Sequence, residues 1–584
     1  MIAGQLIFRG WALYPSWFFT DDYRLMYDAR AQGLGWDYLT RPFDSQFMPF
    51  GRLLVWVVTA SGSMNWFLAA SLTLLLQALA SAACLWMLVS LFGPRWGVLA
   101  PLGLYLTSVL TLPALMWWAA GINQIPLQAA FFVAVTAWVR HLRSGRRRWL
   151  FLVVGTVAFG LLCYVKALLI VPVLGYVSIA YFAQGNLSDR VVTAVRSWWA
   201  QGALALVLVM GYLAYYTTAV PQPFVAKSGS VAAEVADAML GTSMATGILG
   251  GPWRWWRTSP PIVLASPPSW TVHASWVLIA LLVLYAALRR HRTLRGWFLL
   301  AAYGGALYVL LATSRGQTFG RLAGLEYRYL TDAACVLALV VGLVFLELID
   351  APDSSQPRSV PLINLGVDRR WVAAVVAVVV LGGLVSSWRY VGYWHRDNAS
   401  RAYVKTLQSN LSTKGPAPQL AGQTLPDVVM PEYTKPYNSA SRFVRLLSPD
   451  VTFPSASGRL QVIDEQGRLQ PAQIKTAVRS VAGPVDDCGW KVTAPGADIP
   501  LEARTFDWHW WLRIGYLGSQ DSPIVVTVGE NRREALLRRG LHSLYVEVDG
   551  VFDSVSLTGL EQGTTVCVDT IEVGDPVPQV VSQG

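Results

Sequence analysis

Apolar residues fall in long blocks along most of the chain. Runs near 64–92, 97–118, 123–140, 149–165, 167–183, 199–218, 273–289, 296–313, 333–349 and 371–388 each approach the ~20 residues a membrane span needs. A shorter run, Ile2 to Phe19, is interrupted by Arg9, Gly10 and Pro15 and reads either as a tilted, weak first span or, in the favoured reading, as one whose beginning has been clipped. Counting it, the pattern predicts about eleven spans. The amphipathic piece Phe50–Ala60 is expected to lie along the membrane surface. Past Trp388 the pattern changes. A stretch rich in Pro, Ser and Gln, about 409–440, leads into short alternating runs such as Arg459–Asp464, Ile524–Val528, Ser543–Val548, Ser554–Leu557 and Thr565–Val568. Turn residues between such runs predict a β-sandwich. The expected organisation is a membrane domain over 1–390, a linker and membrane-proximal segment over 391–440, and a β-sandwich domain over 441–584.

Composition agrees with the pattern. Hydrophobic residues make up 54% of the 584 and charged residues 14%, where a soluble chain carries about 25% charge. The net charge of +11 comes largely from short loops between apolar runs, so it speaks for membrane topology and not for nucleic acid. The densest cluster is Arg140, His141, Arg143 and Arg146–Arg148; a second is Arg289–Arg292 with Arg295. Placing the first in the cytoplasm and alternating through the spans puts the second, Arg95 and Arg369–Arg370 there too. The Asp21-Asp22 loop, the Gly121–Pro126 turn, the loop from about 219 to 272, the loop 314–332 and the tail are then expected outside. Cys84, Cys163 and Cys335 lie in apolar runs and read as buried hydrophobes, whereas Cys488 and Cys567 can pair if the tail is outside the cell.

Within that topology the stretch Trp17-Phe18-Phe19-Thr20-Asp21-Asp22-Tyr23 carries the main candidate chemistry. Acids so close to hydrocarbon are costly and tend to be functional. One carboxylate suits a general base that takes a proton from a hydroxyl acceptor, and the second suits orienting the first or holding a divalent cation, Mg2+ or Mn2+. The same acids behind Thr20 also suit an ordinary helix N-terminus. Lys166, between two apolar runs, and Arg328, Arg321 and Arg254 on the expected outer face are candidates for a lipid-linked phosphate. Asn123, Gln124, His273 and Tyr327 are candidates for sugar or acceptor hydroxyls. In the tail, Trp508 and Trp510 are expected on one face of a strand, where they could stack on sugar, with Trp511 on the other. Arg9 and His273 are expected to face outward. No metal-spaced His/Cys set and no phosphate-cradling Gly-rich loop is present.

The segments WALYPSWFFTDDYRLMYDA, WWAAGINQIPLQ, LLCYVKALLIVP, GGPWRWW and EYRYLTDAA make the chain similar to the GT-C superfamily of polyprenyl-phosphate-dependent glycosyltransferases, in particular its actinobacterial cell-envelope members. The resemblance implies a catalytic carboxylate at Asp21 or Asp22 and a donor phosphate held by basic residues such as Lys166 and Arg328. It also implies an extracytoplasmic tail like the carbohydrate-binding jelly rolls of mycobacterial arabinofuranosyltransferases. Val165 stands where relatives would carry an acid beside the lysine. The expected activity is inverting transfer of a sugar, arabinofuranose before mannose or another hexose, from a polyprenyl-phosphate donor to an envelope glycan or glycolipid at the outer face of a bacterial plasma membrane. Decaprenyl-phosphate arabinose and arabinogalactan are the corresponding donor and acceptor. A transporter would need ionisable groups at mid-membrane depth and inverted repeats, neither visible in the sequence. A glycan-binding scaffold leaves the outward Asp, Lys and Arg set without a purpose.

Overall fold

A computed structural model describes residues 1–62, 64–221, 229–259, 261–360, 368–396, 398–412 and 416–579. Parts of the expected outer loop (222–228) and linker (413–415) lie outside the described residues. The chain divides into two units, Met1–Asn398 and Ala399–Gly584.

The first unit is helical, and it is that of a multi-pass membrane protein. Its main helices are α1 (Ile2–Leu13), α2 (Asp21–Gln32), α3 (Pro49–Ala60), α4 (Trp66–Phe92), α5 (Trp118–Ser144), α6 (Arg147–Cys163), α7 (Leu187–Ala219), α8 (Ser269–Arg289), α9 (Leu294–Ala312), α10 (Ala333–Phe345) and α11 (Arg369–Arg396). Among the described residues, seven helices are long and apolar enough to cross a bilayer, or eight if the bent pair Trp96–Leu106 and Val109–Met116 is one span. The expected eleven is therefore corrected to seven or eight. The apolar runs are helical where expected, but α1 has 12 residues, α6 has 17 and α10 has 13, each short of the ~20 that a span requires. The Gly121–Pro126 segment is likewise not a turn. It continues α5, with Pro126 inside the helix.

Local chemistry explains where the long helices stop and start. The Asn65 side chain accepts the Leu68 amide at the start of α4, and Asn186 with Asp189 forms a capping box on α7. Gly145 ends α5 in the left-handed region that a side chain would resist. The basic loops also bond to helix ends. Arg143 donates to the carbonyls of Ser90 and Leu91 at the end of α4, and Arg95 donates to Glu347, so arginines cap helix C-termini. Asp353 gathers Arg190, Arg292 and Arg295 around one buried carboxylate.

Ionisable groups also lie inside the bundle, contrary to the sequence reading. Arg9 is buried and faces inward, donating to Gln77 and Thr111. Gln77 in turn donates to Ser81, and Ser81 to Gln5. A helix as short as α1 shows too little periodicity to reveal that inward face.

The second unit is β-rich. After a ribbon in the first unit, β1 (Trp255–Ser259) with β2 (Ile262–Ala265), the remaining strands are β3 (Gln419–Leu420), β4 (Ala456–Ser457), β5 (Leu460–Ile463), β6 (Leu469–Arg479), β7 (Trp490–Val492), β8 (Ala497–Pro500), β9 (His509–Gly518), β10 (Ser522–Val528), β11 (Asn531–Leu537), β12 (Gly540–Asp549), β13 (Ser554–Thr558) and β14 (Val566–Pro578). An eight-stranded sheet runs β3-β5-β6-β14-β9-β12-β4 with β7 on β14, and a four-stranded sheet runs β11-β10-β13-β8. They share a core that includes Leu512, Ile514, Val526, Val546, Val555 and Val568. Ala399–Leu411 and Ala440–Leu447, within and beside the expected linker, are helices of this unit. Cys488 and Cys567 are joined by a disulfide, with Cys567 opposite Lys491 across the β14–β7 ladder.

Trp510 and Trp511 do point to opposite faces, but both are covered. Trp510 is 3% exposed in the shared core; Trp511 packs with Ala421, Leu460 and Val462 on the other face of the large sheet. Trp510 is thus removed from the surface where sugar stacking was expected. Trp508 precedes the strand, is 53% exposed and donates its indole N–H to Asp575 at 3.3 Å.

Candidate active site

The loop between α1 and α2 is an aromatic plug. Phe18 meets Trp66 and Trp118 edge-on at 4.9 and 5.4 Å, and Phe19 meets Trp117 at 5.6 Å. This packing brings the chain to the N-terminus of α2 with its two acids in the first helical turn. Thr20 occupies the N-cap position with φ of 39° but makes no side-chain cap bond.

The two acids are held in different ways. The Asp22 carboxylate accepts the Phe19 N–H at 2.8 Å and the Ala119 N–H at 2.7 Å. It satisfies an orphan amide of α5's first turn while fully buried, so both of its oxygens are committed. Asp21 keeps 24% of its side chain exposed and meets Arg24 at 2.9 Å. Arg24 also reaches Asp44 at 2.9 Å, and Arg315 lies 3.5 Å from Asp44. Burial raises the Asp21 pKa above the ordinary carboxylate range, the Arg24 charge opposes the rise, Asp44 adds to it, and Arg328 opposes it. Burial also raises the Asp22 pKa, against the pull of its two amides.

Arg328 sits on the short turn Tyr327–Leu330. Its guanidinium lies 4.1 Å above the Trp117 ring, pairs with Glu326 at 2.6 Å and donates to the Tyr329 hydroxyl at 3.0 Å. Its charge reaches Asp21. The indole nitrogen of Trp117, the ring under Arg328, and the amide oxygens of Asn123 and Gln124 on α5 are buried without a partner. Asn123 donates to Gln46 at 2.9 Å and to the Ala119 carbonyl at 3.1 Å.

Lys166 is not at the surface. It is buried, donating to Asp332 at 2.9 Å and to the Tyr329 carbonyl at 2.7 Å, while Asp332 also accepts from Tyr303 at 2.7 Å. The carboxylate beside Lys166 is Asp332, at the start of α10. Tyr327 is buried too, its hydroxyl 2.8 Å from that of Thr246 and its ring against Trp255. Arg321 is exposed and pairs with Asp237 at 3.4 Å. Arg254 is exposed and donates to the Ser266 carbonyl at 2.9 Å. His273 is exposed on α8. The structure thus gathers Asp21, Asp22 and Arg328, with Asn123 and Gln124 on the adjoining helix, and gives Lys166, Tyr327, Arg321, Arg254 and His273 other partners or places.

Among the described residues no three His, Cys, Asp or Glu side chains are grouped to hold a metal ion. Asp22 is buried on two amides and Asp21 is paired with Arg24, with no third such side chain grouped beside them among the described residues, so no step is assigned to the expected divalent cation. Arg24 and Asp44 were missed in the sequence. Arg24 had a signal, its i,i+3 spacing from Asp21; Asp44 comes from a loop and had none.

No family model and no curated protein matches the chain. Solved structures resemble it distantly. ArnT from Cupriavidus metallidurans bound to undecaprenyl phosphate is 14% identical over 80% of this chain and 92% of its own, with a TM-score of 0.41. Arabinosyltransferase EmbB from Mycobacterium smegmatis is 13% identical over 99% and 64%, with a TM-score of 0.35. Arabinofuranosyltransferase AftD from Mycobacteria is 11% identical over 100% and 59%, with a TM-score of 0.34. At this distance no residue roles transfer from them.

Proposed function

We propose that the chain is a membrane glycosyltransferase that moves a sugar from a polyprenyl-phosphate donor to a hydroxyl of an envelope glycan or glycolipid. Asp21 is the general base. It takes the proton of the acceptor hydroxyl as that oxygen bonds to the anomeric carbon, and the bond from that carbon to the phosphate oxygen breaks, its electron pair leaving with the lipid phosphate. One displacement inverts the anomeric configuration. Arg328 stabilises the departing charge with a planar fork suited to phosphate. Asn123, Gln124 and the Trp117 indole offer polar atoms to hydroxyls, since buried polar groups without partners call for one. Arabinofuranose is the favoured sugar, and the acting side is the outer face.

The observation that carries this reading is the division of labour in the acidic pair. Asp22 is tied to two backbone amides, while Asp21 is partly open, raised in basicity and within reach of Arg328's charge. The test is an assay of purified protein with polyprenyl-phosphate arabinofuranose and polyprenyl-phosphate mannose. Transfer by the wild type that falls roughly 10²-fold or more in Asp21→Asn, with folding intact, supports the base. Undiminished transfer in Asp21→Asn removes it from the mechanism.

A further inference from the structure

Helix α7 is fastened at its ends and loose in between. Of its 33 residues only Arg190 and Tyr216 are buried. Arg190 binds Asp353 and donates to the carbonyls of Ala183 and Gly185, both at 2.8 Å; Tyr216 donates to the Ser45 carbonyl at 2.5 Å. Between these anchors Trp198 leaves helical geometry, with φ −129° and ψ 22°. Beside it a crevice of about 430 Å³ separates α7 from α5, α6 and the segment Val165–Phe182.

The crevice is apolar, lined among others by Trp138, Val154, Gly175, Trp198, Gly202 and Ala205. A Cβ built on Gly175 or Gly202 would meet nothing within 4 Å. Apolar space of this kind does not hold water, and leaving it empty forfeits dispersion contacts along every wall. Three of its walls, α5, Val165–Phe182 and α7, are long and apolar enough to cross a bilayer, so hydrocarbon is the solvent at hand. One end is polar. Gln201 lines the crevice and lies 3.3 Å from the His141 ring, which in turn contacts the Arg146 carbonyl at 3.3 Å. Arg146 and Arg147, at the start of α6 and ahead of the lining residue Leu150, are exposed at this end.

We propose that this crevice holds an acyl chain of an anionic phospholipid from the leaflet that meets the α5–α6 loop, its phosphate against Arg146 and Arg147. An acyl chain fills the gap between α7 and the bundle, and the arginines select a negative headgroup. The site is separate from the Asp21 centre and does not depend on transfer activity.

The test uses the full chain in lipid nanodiscs, with phosphatidylglycerol or phosphatidylcholine carrying a diazirine in the middle of one acyl chain. Adducts are mapped by peptide mass spectrometry. The expected result is adducts on 150–157 and 198–208, with the anionic lipid favoured roughly fivefold for each arginine engaged. Gly202→Trp, which enters open space, lowers those adducts at least fivefold and leaves labelling elsewhere unchanged. Combined Arg146→Gln and Arg147→Gln equalises the two lipids. Crevice adducts that persist in Gly202→Trp, with Gly175→Leu as a second filling variant, overturn the site. Equal labelling by both lipids in the wild type overturns the anionic headgroup.

Discussion

The Asp22 carboxylate accepts the Ala119 N–H at 2.7 Å, across 97 residues of sequence. This bond fixes the loop that carries Asp21 to the first turn of α5, the helix that also carries Asn123 and Gln124. Adjacent acids are therefore held differently, Asp22 buried in the frame and Asp21 partly open, which in the proposed reaction leaves Asp21 for the reactants.

That division predicts opposite phenotypes. Asn at position 22 can accept only one of the two amides and sets an NH2 against the other. An orphaned buried N–H costs about 1–3 kcal/mol, so Asp22→Asn should lower the thermal unfolding temperature of the purified protein. Asp21→Asn removes a partly exposed pair worth about 1 kcal/mol or less, so it should unfold near the wild-type temperature and yet be inactive. Equal destabilisation by both substitutions would contradict the assignment.

The pH profile of transfer should carry the mark of Asp21. A base works deprotonated, so activity is lost as pH falls through its pKa, and burial sets that limb above the ordinary carboxylate range. Arg24 holds the pKa down. Arg24→Ala should therefore move the acid limb to higher pH. A limb that stays in place, measured on kcat/KM with donor and acceptor varied in turn, would remove Asp21 as the titrating group.

Arg328 binds through a planar fork, which lysine lacks. Arg328→Lys keeps the charge but should cost at least about tenfold in kcat/KM for the donor, the loss of one charge-assisted hydrogen bond. Arg321→Ala and Arg254→Ala, whose side chains are exposed and engaged elsewhere, should stay within about twofold of the wild type. Comparable losses in all three would show that bulk positive charge, and not the Arg328 fork, serves the donor.

What the sequence disclosed follows from the range over which each signal acts. Apolar runs and period-two alternation are local, so helices such as Trp66–Phe92 and strands such as Ser522–Val528 were legible to within a few residues. Span number was not, because it depends on where a helix ends, and Ala333–Phe345 stops well short of the apolar run that contains it. Side-chain partners come from tertiary packing. Nothing near Lys166 in sequence announces Asp332, 166 residues on, and nothing near Trp510 announces the second sheet that covers it. The acidic pair stood out because adjacent acids beside an apolar segment are rare, but their separate roles rest on an amide of a distant helix.

The pair of Lys166 and Asp332 yields the sharpest test against the sequence reading. If Lys166 were held for a lipid phosphate, Lys166→Met would raise the donor KM and leave stability alone. In the structure both groups are buried, and Lys166 also grips the Tyr329 carbonyl, one residue from Arg328. Removing one member of a buried pair strands the other and costs about 3–5 kcal/mol, whereas removing both charges relieves most of that cost. Lys166→Met should thus unfold markedly earlier than the wild type, and Lys166→Met with Asp332→Asn should recover much of the loss. The double variant should still be slow, because the turn that aims Arg328 has lost its tether to Lys166. A stable Lys166→Met with only a raised donor KM would return the lysine to the phosphate.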